Sequence, residues 1–127
     1  MNTASAASSA SSASSIAERY LAVWNERDDA ARRAQVAQLF APDASYADPL
    51  TKSRGIDGID AMVQAAQQQF PGHRFSLHGV PDGHNDVVRF SWTLAADGSA
   101  PLANGTDVAW IDADGRLRQV TGFLNAA

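Results

Sequence analysis

Cysteine is absent from the 127 residues, which excludes a disulfide framework and thiolate chemistry and is compatible with a reducing, cytoplasmic location. Basic residues are few: ten Lys and Arg stand against fourteen Asp and Glu, for a formal charge of -4. The pairs Arg32-Arg33 and Arg116 with Arg118 are too small to supply the concentrated basic face that nucleic acid demands. Long apolar runs are missing too, so no segment reaches the length of a membrane span. The opening "MNTASAASSASSASS" has neither the basic region nor the large apolar residues of a secretory signal. His73, His78 and His84 lack the cysteine or HExxH companions of a zinc site, and no metal or cofactor is expected. "GIDGID" has two glycines but not the strand-to-helix context of a phosphate loop.

What remains is a chain that is 45% hydrophobic, enough for one domain built around a small pocket. Residues 1–15 read as a flexible Ala/Ser-rich tail, able to extend the first helix through its alanines but with nothing to bury, and 16–127 as the domain. Ser15 and Glu18 have the spacing of a capping box and predict a helix start. Ile16, Tyr20, Val23 and Trp24 then form an inward stripe. Asp28 or Asp29 suits the cap of a second helix, with Val36, Leu39 and Phe40 on one face and Pro42 as its stop. A short strand, "ASYAD", follows. A third helix carries Ile59, Met62, Val63, Ala66 and Phe70 and ends at Pro71-Gly72. Four β-rich segments, "HRFSLHGV", "DVVRFSWTLA", "ANGTDVAWID" and "RLRQVTGFL", complete the chain, with "ADGS" and "ADGR" as turns. Helices first and an antiparallel meander afterwards predict an α+β domain: a cone-shaped roll of three helices on a curved, mostly antiparallel sheet that encloses a pocket.

Within this frame three polar residues fall where a core should be apolar: Tyr20, Asp48 and Asp107. An apolar cavity raises a carboxyl pKa, and two neighbouring carboxyls push each other toward sharing protons. One acid as base and the other as neutral donor is an arrangement suited to proton transfer. Each residue also has a plain alternative. Tyr20 suits core packing, Asp48 before Pro49 suits a strand end that accepts backbone amides, and Asp107 suits a structural bond. Trp24, Tyr46, Met62, Phe90 and Trp92 are expected to wall the pocket.

The segments "ERYL", "PDASYADP" and "DVAWIDADGRL" carry a resemblance. Over roughly residues 16 to 124 the sequence resembles the nuclear transport factor 2-like superfamily, and within it the SnoaL-like polyketide cyclase and ketosteroid isomerase-like group. Tyr20, Asp48 and Asp107 match the positions of the oxyanion-hole tyrosine, catalytic aspartate and protonated aspartic acid of the ketosteroid isomerases. The resemblance implies a cofactor-independent isomerase or cyclase in which Asp48 moves a proton alpha to a carbonyl while Tyr20 and Asp107 bind the enolate oxygen. Where ketosteroid isomerases can place supporting tyrosines, this chain has Phe40 and Val63.

Two other readings belong beside it. One is a non-catalytic module that holds a small hydrophobic ligand. The other is epoxide hydrolysis, which relatives perform with an Asp-Arg-Asp set; Arg89 is the mid-strand arginine available here, and strand parity aims it away from the acids. Apolar residues on both faces of the late strands predict a homodimer through the outer sheet face, with Trp110 and Phe123 in the interface.

Overall fold

Helix α1 runs from Thr3 to Asn25 with no start at Ser15. The computed structural model describes residues 3–125, with side chains from residue 12 onward; the mobility expected of residues 1 and 2 lies outside these. Alanine favours helix strongly enough to carry it through the Ser-rich segment, so Ser15 is an interior position and the predicted capping box does not form. The Ala13 side chain is fully buried. It fits because Gly83 lies opposite, where an added Cβ would stand 3.3 Å from the Ala13 Cβ.

Helix α2 spans Asp29–Leu39, and the Asp28 carboxylate caps it by accepting from the Ala31 amide at 2.8 Å. The helix ends before Phe40, which the sequence reading placed on its face. Phe40 instead begins strand β1, Phe40–Ala47. Pro42 is accommodated because ladder pairing with the neighbouring strand is irregular between Phe40 and Ser45, where no amide is required of it. A short strand β2, Lys52–Arg54, which the sequence did not signal, leads into helix α3, Gly55–Gln69. Strands β3 (His73–His84), β4 (Val87–Ala96), β5 (Ala103–Ile111) and β6 (Leu117–Leu124) follow.

The six strands form one curved, unclosed sheet in the order β2-β1-β6-β5-β4-β3. All neighbours are antiparallel except β1 and β6, which run parallel. The three helices cover one face. Ile16, Tyr20, Val23, Val36, Ile59 and Val63 from the helices meet Val88, Phe90, Ala109 and Val120 from the sheet.

The helices are tied to one another by a polar hub. The Arg32 side chain is 1% exposed and bonds Asp60 at 2.9 Å, Asp29 at 3.0 Å and Gln67 Oε1 at 3.1 Å. Gln67 in turn donates to the carbonyls of Trp24 and Glu26. A buried guanidinium must fill its donors in this way or cost several kcal/mol. Asn25 clamps the end of α1 to the sheet by exchanging two 2.8 Å hydrogen bonds with the backbone of Phe75.

Candidate active site

Register builds the site. On the inner face Asp107 stands directly opposite Phe90 on one side and Gly122 on the other. Asp48 follows the end of β1, against the far side of Gly122. A Cβ at Gly122 would lie 2.9 Å from Asp107 Oδ1 and 3.3 Å from the Asp48 Cβ. The missing side chain is therefore what lets the two carboxyl-bearing residues approach. In the next row of the sheet Trp92 faces Gly105. A Cβ there would meet the Trp92 ring at 2.5 Å. With glycine in place, the indole lies across β5 and donates to Asp107 Oδ1 at 3.2 Å.

Asp107 is 3% exposed. Burial pushes its carboxyl up to about 6; the Trp92 indole, which donates to it, and the nearby Tyr20 hydroxyl pull it back, and Asp48 pushes it further up. Tyr20 is buried above it, edge-on to Phe90 at 5.1 Å and tilted against Phe40 at 6.2 Å. Phe40 has no hydroxyl to offer, and the Tyr20 hydroxyl has no hydrogen bond of normal geometry. Burial, then the nearby Asp107 charge, raise it well above the ordinary phenol value, so it keeps its proton and remains available as a donor.

Asp48 is partly exposed and fully engaged. Its Oδ1 accepts from the amides of Leu50 and Thr51 at 2.8 and 3.0 Å, and its Oδ2 accepts from the Tyr46 hydroxyl at 2.5 Å. The Tyr46 partnership was not inferred from the sequence, although the two-residue spacing that puts both side chains on one face of a strand was its signal.

These groups open onto a cavity of about 320 Å³ between helices and sheet. Tyr20, Tyr46, Asp48 and Asp107 supply its polar end, while Trp24, Met62, Phe75, Trp92 and Leu94 supply apolar wall. Leu50, 79% exposed, and Leu124 reach its mouth, so the hollow is open to solvent there. Phe90, expected in the wall, does not line the cavity: it is buried beneath Tyr20 in the core. Trp110 and Phe123 lie on the outer face, exposed, with the Arg118 guanidinium 5.6 Å from the Trp110 ring centre. Arg89 is exposed and pairs with Asp82 at 3.3 Å, away from both site acids. Among the described residues no three His, Asp or Glu gather as a metal set, and no helix is long and apolar enough to cross a membrane.

Comparison with known proteins places this geometry. A family model for the SnoaL-like domain matches residues 17–120. A candidate isomerase of the SnoaL-like family from Agrobacterium tumefaciens superposes with a TM-score of 0.89 at 46% identity, covering 91% of this chain and 99% of that one. A candidate polyketide cyclase from Sinorhizobium meliloti has a TM-score of 0.67 at 19% identity, covering 85% of this chain and 93% of that one. A candidate ketosteroid isomerase from Kribbella flavida gives 0.64 at 18% identity, covering 93% and 81%. At these lower identities the likeness concerns the fold alone. No curated protein matches the chain at a significant level.

Proposed function

The chain belongs to the SnoaL-like family, and on that premise we propose that it is a cofactor-independent acid/base enzyme of the isomerase or cyclase type, acting on a small, largely apolar carbonyl compound. Asp48 removes a proton alpha to the carbonyl. The enolate oxygen accepts hydrogen bonds from neutral Asp107 and from Tyr20, donors held in place before charge develops. Burial keeps Asp107 neutral below about pH 6, and an apolar substrate that expels water adds to that burial.

One observation carries the reading: Asp48 and Asp107 flank Gly122 at the polar end of an apolar cavity. Its test is solvent-deuterium exchange at the alpha carbon of small cyclic enones, followed by NMR. Exchange by the wild type that drops at least about a hundredfold in Asp48→Asn supports it. Equal exchange by both proteins would sink it.

The three hydrogen bonds that satisfy Asp48 favour a second reading, a binding module that holds a small hydrophobic ligand without turnover. Saturable binding of the same enones with no exchange would select it. The proposal extends to a cytoplasmic homodimer joined through the outer sheet face, supported by Trp110 and Phe123, which are 38% and 56% exposed on that face.

A further inference from the structure

The reaction described above gives no task to one hydroxyl of the cavity. Tyr46 is 5% exposed, lines the cavity, and has its ring set against Trp24 at 5.9 Å. Its hydroxyl donates to Asp48 Oδ2 at 2.5 Å, the short length of a bond to a charged acceptor. The other carboxylate oxygen is occupied by two backbone amides. The oxygen left to receive the substrate's proton is thus the one that Tyr46 already holds. Among the described residues the bond to Asp48 is the one this hydroxyl makes with normal geometry, the Tyr20 hydroxyl being its other polar neighbour.

We propose that Tyr46 is a catalytic residue whose hydroxyl changes acceptor during turnover, holding Asp48 while that carboxylate is charged and passing to the substrate's enolate oxygen once Asp48 has taken the proton. The inference rests on the enolate reading. In the forward step the alpha C–H bond breaks and its proton joins Asp48 Oδ2. The C–H electron pair becomes the C=C bond, and the carbonyl π pair moves onto oxygen. Negative charge has then left Asp48 and appeared on the substrate, and a donor follows the charge because charge-assisted hydrogen bonds are the stronger ones. When Asp48 returns the proton to carbon, the enolate oxygen is neutralised and the hydroxyl goes back. Burial first, with the bond to Asp48 adding to it, holds Tyr46 far above the ordinary phenol range, so it serves as donor in both positions and never as anion.

The experiment is a double-mutant cycle with 4-nitrophenol, whose absorbance reports both binding and the fraction bound as phenolate. Asp48→Asn stands for the protonated base. It should tighten binding and raise the bound phenolate fraction, by about tenfold or more in affinity, the scale of one donor to a developing oxyanion. Adding Tyr46→Phe should abolish that gain, whereas Tyr46→Phe alone should alter affinity less than about twofold, since Tyr46 is then engaged with Asp48. A gain that persists in the double variant overturns the proposal. As a check that does not alter shape, 3-fluorotyrosine at position 46 in the Asp48→Asn protein should change the phenolate fraction; an unchanged spectrum also overturns it. Deuterium exchange by the wild type is scored separately: its absence defeats the enzyme reading, while the cycle reports whether the donor moves.

Discussion

Trp92 reaches diagonally over Gly105 to place its indole N–H 3.2 Å from Asp107 Oδ1. The bond favours the charged carboxylate and opposes the upward push of burial. Trp92→Phe keeps the packing surface and deletes the donor. The Asp107 titration midpoint should then move above its present value of about 6. The carboxyl carbon signal in an NMR pH titration reads this directly, and a midpoint that stays or falls would contradict it.

The same acid makes stability depend on pH. Its carboxyl rises from 3.8 to about 6 on folding, so between those values the folded state holds more proton than the unfolded one. That contribution to stability is complete below about pH 4 and is lost as pH climbs through about 6. At about 1.4 kcal/mol per unit the loss is about 3 kcal/mol. Asp107→Asn cannot ionise, so its stability relative to wild type should improve by up to that amount between pH 4 and pH 7. Urea denaturation at both pH values measures the difference.

Gly122→Ala places a methyl group 2.9 Å from Asp107 Oδ1 and 3.3 Å from the Asp48 Cβ. Overpacking of this kind costs about 1–3 kcal/mol. The larger effect should fall on the site, where parting the acids by even about 1 Å should lower turnover about a hundredfold while the fold persists. Thermal unfolding and deuterium exchange on the same sample separate the two effects.

Arg32→Ala strands Asp60, 15% exposed in its side chain, without its buried partner and frees Gln67 from one of its bonds. The expected cost is about 3 kcal/mol, toward the lower end for a broken buried pair because Asp60 is not fully enclosed. Chemical denaturation should show a lower midpoint with an unchanged slope. A loss under about 0.5 kcal/mol would mean that the hub is not a stabilising element.

The proposed dimer makes its own prediction. Trp110→Ala with Phe123→Ala should yield a monomer in sedimentation where the wild type sediments as a dimer, because aromatic anchors dominate such interfaces. A wild type that sediments as a monomer at all accessible concentrations would remove this part of the proposal.

Much of this was legible in side-chain alternation. Strand parity in "TDVAWI" was sufficient to turn Asp107 inward and Trp110 outward, and both lie so. The helical stripe likewise sent Tyr20 into the core. What escaped depends on contacts between distant segments. Nothing local marks Gly122 as the gap between two acids, since its importance is the absence of atoms and its neighbours come from β1 and β5. No local signal marks Arg32 as buried, because two of its partners, Asp60 and Gln67, lie a helix away. The Ser15 signal failed because a local cap competes with helix continuation, and Gly83, far along the chain, gives Ala13 a place to be buried.

The parallel pairing of β1 with β6 joins residues 40–47 to residues 117–121, the widest sequence separation bridged anywhere in the sheet. Such long loops close slowly during folding. Because β6 also brings Gly122 between the acids, the proposed centre needs this pairing before its carboxyls can meet. Any chemistry at this site is thereby tied to the longest-range contact of the sheet.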